Sequence, residues 1–285
     1  MQINPIIEKE LKTKMRGWKA PALISVYLGF LLLVIILYFI YNDQLSDFGL
    51  STFNPRVAIN AYNTVALFQL LLLLFITPAM TGGAVSSERE RQTLDLLLCT
   101  NFSTYKVILG KIFVSIAHIM LLITASLPLM AIVFLFGGVS FTDIMLLFLF
   151  YIATAVMLGS IGTFYSTVFK KTIVAIVITY LTVLIITIGT VVLFAIWGFF
   201  VARWTSEPAY HEVAAFLFSN PFFGFGSVIE GTASNNSLFG AFVTVANAGD
   251  NNDILVKSWM VNIGFYAVLS TVLIFVSAWR IKRLK

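Results

Sequence analysis

Charge is scarce in this chain. Only 11% of its 285 residues are Asp, Glu, Lys or Arg, against about a quarter in soluble domains, and that shortage excludes a water-exposed globule of this size. A single cysteine, Cys99, excludes an internal disulfide and any multi-cysteine metal site. The two histidines stand apart, and His211 has only Glu212 beside it, too little for a zinc site. The eight methionines are scattered, so soft-metal chemistry has no cluster to rest on. No ten-residue alternation of apolar and polar residues interrupts runs such as 28–40, which argues against barrel strands.

What the chain has instead is apolar bulk: 59% hydrophobic residues, 27 of them Phe, and a mean hydropathy of +0.96. Stretches without Asp, Glu, Lys or Arg cover residues 20–42, 57–87, 112–142, 144–169, 172–202 and 258–279. Each meets the roughly 20 residues a helix needs to cross a hydrocarbon core about 30 Å thick. The expected fold is therefore an all-α integral membrane protein, a single transmembrane domain over 1–285 with six spanning helices. Two weaker stretches, 213–229 and 231–249, are broken by Asn220-Pro221, Gly224, Gly226 and Ser234-Asn235-Asn236-Ser237. Such segments survive at membrane depth only when shielded by protein or facing a water-filled cavity, so they read as re-entrant or interfacial.

The net charge of +5 follows the membrane, not nucleic acid. Fifteen of the eighteen cations fall in the N-terminal segment, the linkers between spans two and three and between four and five, and the C-terminal tail; Arg56, Arg203 and Lys257 fall on the other side. By the positive-inside rule both termini are cytoplasmic, in the inner (plasma) membrane. The first apolar run is too long for a signal-peptide core and lacks a small-residue cleavage pattern, so it is expected to stay. Ahead of it Ile3, Ile7, Leu11, Met15 and Trp18 recur at helical spacing among Lys9, Lys12, Arg16 and Lys19. That pattern predicts a basic amphipathic helix over 1–19 on the membrane surface, in contact with anionic lipid.

Between spans two and three stands Ser87-Glu88-Arg89-Glu90-Arg91-Gln92-Thr93-Leu94-Asp95-Leu96-Leu97-Leu98. Ser87 followed by Glu90 has the form of a capping box, and Leu94, Leu97 and Leu98 lie opposite Glu88, Arg91 and Asp95. An amphipathic cytoplasmic helix over 87–99 is expected, carried well into the cytosol by a continuous second helix about 46 Å long. Pro78 would allow that helix to bend. This stretch, with Lys106-Val-Ile-Leu-Gly-Lys111 after it and Asn4-Pro5-Ile-Ile-Glu-Lys-Glu10-Leu at the start, resembles the ABC-2 type transporter permeases, nearest the bacterial branch labelled multi-copper enzyme maturation permease. Gln92 departs from the Gly that many relatives carry before the Thr-Leu pair.

The resemblance implies that the 87–99 segment is the coupling helix and that 1–19 is the connecting helix. It also implies that two permeases, identical or related, form the pathway, with separate ABC ATPase subunits docking beneath them. The residues agree with a division of labour. Leu109-Gly110-Lys111-Ile112 lacks the upstream Gly and the following Ser/Thr of a phosphate loop, so ATP and Mg belong to the partner and this chain is expected to be neither an enzyme nor a cofactor carrier. Charge-free spans also disfavour a proton- or ion-coupled carrier, and no paired carboxylates are present for an intramembrane hydrolase. His118, alone in span three, is a possible polar contact of the pathway.

Residues 203–257 form the largest extracytoplasmic region. Phe216, Phe218, Phe222, Phe223 and Phe225 surround Asn220-Pro221, a costly patch if left in water. The family resemblance implies paired re-entrant helices here, a gate with Phe218, Asn220, Pro221, Phe222, Phe223 and Phe225; a plain loop is the alternative. Two functions remain: an ATP-driven exporter's permease, or a non-transporting scaffold or immunity protein that uses the same fold to bind a partner.

Overall fold

The computed structural model describes residues 17–41, 55–93, 104–135, 139–204, 217–230 and 258–282. Every regular element among them is helical: α1 (Lys19–Tyr41), α2 (Pro55–Thr81), α3 (Ser86–Glu90), α4 (Thr104–Leu135), α5 (Phe141–Val168), α6 (Thr172–Leu184), a π segment (Ile185–Gly189), α7 (Thr190–Trp204), α8 (Pro221–Ile229) and α9 (Ser258–Lys282). Six helices are long and apolar enough to cross a membrane, the fifth formed by α6, the π segment and α7 together. Helix is the only open-ended choice for such sequences, because in lipid each backbone N–H and C=O must be paired within its own segment.

Helix α5 is the centre of the bundle, packed against α2, α4, α6, α8 and α9. Its small residues permit this. A side chain at Gly162 would overlap Thr81 of α2, and close backbone approach is how helices associate where no water drives them together. Several buried hydroxyls bond inside their own helices, as in Thr154 to Phe150 O (2.9 Å) and Thr163 to Gly159 O (2.9 Å). Longer polar side chains bond across helices instead: Tyr151 Oη donates to Ala66 O at 2.6 Å and Gln69 Nε2 to Ser126 Oγ at 2.7 Å. In the most apolar stretch of α5, 61% of residues are buried, against 17% in the fifth span, which lies at the periphery of the bundle.

Three expectations are corrected. The second helix does not continue to Ser87 but ends at Thr81, where Gly82 presses on Ile176 of α6; a Cβ there would lie 3.1 Å from the Ile176 Cα. The third and fourth spans do not meet at Asp143: α4 ends at Leu135, and Ser140 caps α5. Asp143 lies inside that first turn, taking part in a reciprocal capping box with Ser140. The box expected at Ser87 and Glu90 does not form. Ser87 Oγ donates back to Gly83 O, and α3 has no side-chain cap from its own N-terminal residues.

The expected surface helix lies outside the described residues except for 17–19, and so do Leu94, Asp95, Leu97 and Leu98.

Candidate functional site

Two polar constellations lie at opposite ends of the bundle. At the end that carries Lys111, Lys170, Lys171 and Arg280, the chain leaves α2 through the turn at 82–85 and makes the single helical turn α3. Five residues cannot hold a helix by themselves, and this one is assembled by its neighbours. Ser166, near the end of α5, accepts from Val85 N (2.8 Å) and Ser86 N (2.9 Å), supplying from 80 residues away the cap that Ser87 does not. Glu88 forms an ion pair with the buried Lys111 of α4. Arg89 Nη1 approaches Thr167 O at 3.5 Å, at the carbonyl end of α5 where the helix dipole favours a cation. Below them Val85, Ile112, Ala278 and Ile281 form a small apolar cluster of their own.

Glu90 caps a different helix. Its carboxylate accepts from the Thr172 hydroxyl (2.6 Å) and the Thr172 N–H (3.1 Å) at the start of α6. The hydroxyl and N–H of Thr172, then the charge of Lys171, hold the exposed carboxyl below its ordinary value of 4.5. Gln92 then takes a left-handed conformation (φ 58°) and Thr93 N folds back onto Glu88 O at 3.0 Å. The helix expected over 87–99 is therefore interrupted: α3 stops at Glu90, because an α-helix cannot pass through a left-handed residue. A Gly would adopt that conformation without steric cost. Arg91, Gln92 and Thr93 are the exposed tip.

At the opposite end, α8 is buried along most of its length. Asn220 is its N-cap, accepting from Phe222 N at 2.8 Å. Pro221 occupies the first helical position, where its missing N–H costs nothing. The other half of the Asn220 amide donates to Thr187 O (2.9 Å), inside the π segment, and to Thr190 Oγ1 (2.8 Å). Asn262 of α9, its amide oriented as its neighbours require, donates to Phe218 O (2.7 Å) and Tyr266 Oη (2.8 Å) and accepts from Gly224 N (3.2 Å). Gly224 is obligatory there, since a Cβ would lie 2.7 Å from both Asn262 and Phe150. Phe223 and Phe225 are buried, Phe218 and Phe222 half-buried, and Phe218 meets Phe223 edge to face.

The chain belongs to the ABC-2 transporter family. The family model for ABC-2 family transporter proteins matches residues 45–279, a stretch that holds four of the six spans in full and all but the end of the last. No curated relative matches the chain. The protein is thus a multi-pass membrane permease subunit, and ABC-2 permeases are transmembrane components of transporters, not in general the catalytic ones.

Seen in this permease, the predicted residues divide. Ser87, Glu88, Arg89 and Glu90 are engaged within the chain, while Arg91, Gln92 and Thr93 face outward; the six outer residues from Phe218 to Phe225 gather around α8. His118 is buried in α4, engaged within the bundle and in neither constellation. Sequence reasoning missed Ser166, Thr172, Thr187, Thr190 and Asn262. Asn262 carried a signal, as a lone amide early in an apolar span; the others are hydroxyls that look like any helical Ser or Thr.

Proposed function

We propose that this permease subunit belongs to an ATP-driven exporter and forms the translocation path with a second permease, identical or related. ATP and Mg are held by separate ABC ATPase subunits. The basic end faces the cytoplasm with both termini, in the inner (plasma) membrane, and the surface helix over 1–19 contacts anionic lipid. The turn from Ser87 to Thr93, continued by Leu94, Asp95, Leu97 and Leu98, is the coupling segment. The observation that carries this reading is the way α3 is held: an ion pair and hydrogen bonds to other helices of the same chain fix it against α4, α5 and α6 while Arg91, Gln92 and Thr93 stay exposed, as a docking element must be if a push on it is to move helices. At the other end α8 acts as a re-entrant gate. Its support is depth, since Asn220 bonds to Thr187, near the middle of the fifth span.

The test is Leu94→Asp in the full complex. A carboxylate facing an apolar groove on the ATPase costs a few kcal/mol if desolvated there, so association should fall on the order of a hundredfold while membrane insertion is unchanged. Normal co-purification of the ATPase and normal ATP hydrolysis with Leu94→Asp would remove the segment as the docking element. Failure of the parent chain to retain any ATPase would favour the non-transporting scaffold.

A further inference from the structure

The two constellations share one element. Glu90 of the coupling segment holds Thr172, the first residue of α6, and Asn220 of the outer helix holds Thr187 and Thr190, at the π segment and the start of α7. Between these contacts the span is pinned again. Tyr180 Oη donates to Phe75 O of α2 at 2.6 Å, and Thr182 Oγ1 to Tyr165 Oη of α5 at 3.0 Å. One face packs inward through Ala175, Thr179 and Val183, and the opposite face is turned outward, with Ile173, Val177, Leu181, Leu184, Ile188 and Val192 all exposed.

We propose that the fifth span is a lever between the coupling segment and the outer helix, with Glu90 as the handle, Tyr180 and Thr182 as the pivot, and the π segment as the catch that Asn220 engages. At 1.5 Å per residue the arm to Thr172 is about 12–15 Å long and the arm to Thr187 about 8–10 Å, so a displacement at Thr172 returns reduced and in the opposite sense at Thr187. The π segment supplies two discrete states. It holds one residue more than an α-helix would over the same rise, and collapse to α geometry rotates α7 by about 100° and removes Thr187 and Thr190 from Asn220. Asn220 is a positioning residue in this scheme: one face of its amide caps α8 and the other reads the register of the fifth span.

The driving push rests on the coupled-permease reading; the lever does not. The test uses the full chain with its ATPase in right-side-out membrane vesicles, with Cys99→Ser to silence the native thiol and Phe222→Cys labelled from outside by an impermeant maleimide. Asn220→Ser keeps an oxygen for Phe222 N but is too short to reach Thr187, and should speed labelling on the order of tenfold. Deletion of Ile188 removes the extra residue, so α7 keeps its present facing in plain α geometry with no second register to adopt, and labelling should stay at the parent rate. Glu90→Ala, without nucleotide, should speed labelling several-fold in the parent register and add nothing in the deletion or in Asn220→Ser. The two backgrounds serve the same purpose, so one that fails to insert leaves the other to decide. If Glu90→Ala has no effect, or the same effect in all registers, the lever is overturned. A non-hydrolysable ATP analogue loaded into the vesicles is the separate arm: if it leaves labelling of the parent unchanged while Glu90→Ala behaves as above, the ATP-driven reading falls and the lever stands.

Discussion

The short helices α3 and α8 solve one problem in opposite ways. Neither is long enough to persist unaided. Helix α3 sits at the basic end and is held by charge and by caps lent from other helices, Ser166 at its start and Lys111 beside Glu88. Helix α8 is capped by its own Asn220 and held by burial of Phe223, Phe225, Val228 and Ile229. The difference comes from the surroundings. Where water is near, an ion pair can be solvated at its edge and an exposed tip is tolerated. Within an apolar bundle each amide must find a partner, and Asn220 and Asn262 do so on every side.

The contrast can be broken at its strongest point first. Glu88→Gln removes the anion beside the buried Lys111 ammonium and should destabilise the basic end by about 3 kcal/mol, seen as a lowered thermal midpoint in detergent; an unchanged midpoint would mean that the pair is not what holds α3. Gly224→Val tests the other end. The added side chain must displace Asn262 or Phe150, a cost of roughly 1–3 kcal/mol, and trypsin cleavage of the outer region in sealed vesicles should accelerate. Equal sensitivity of both regions to both substitutions would erase the distinction between them.

The third comparison is internal to α3. Ser166→Ala removes the acceptor for two backbone N–H groups and should cost about 1 kcal/mol, whereas Ser87→Ala removes only a hydroxyl bonded to its own preceding turn and should cost a few tenths of that. The reverse order in a denaturation series would restore Ser87 as the cap. The smallest effect belongs to Glu90. Its carboxyl is held below the ordinary 4.5 by Thr172 and Lys171, so its contribution is present in full above that value and is lost as pH falls through the lowered one. The parent should exceed Glu90→Gln in stability at about pH 6, and the two should converge in acid below pH 4.5. A gap independent of pH would assign the contact to the Thr172 hydrogen bonds alone.

Much of this was legible beforehand for a local reason. An apolar run of 20 or more residues has one way to satisfy its backbone in lipid, so the six spans, the interruption around Asn220-Pro221 and the charged segment after span two could be read off the chain one window at a time. The family resemblance carried by Ser87 to Leu98 was of the same kind. The capping box shows where local reading stops. Ser87-x-x-Glu90 and Ser140-x-x-Asp143 have nearly the same form, and only the second closes.

What separates them is tertiary structure. Ser166 and Thr172 arrive at α3 from 80 and 82 residues along the chain, and take over the roles that Ser87 and Glu90 would otherwise have filled for each other. The end of α2 at Gly82 needs the backbone of Ile176 against it, and the π segment is where Asn220 reaches Thr187 from 33 positions away. Composition and periodicity determined which segments enter the membrane, because that depends on transfer of each segment from water to lipid. Which polar group meets which was decided only when the helices packed, because a hydrogen bond depends on where two groups stand in space and not on how far apart they lie in the chain.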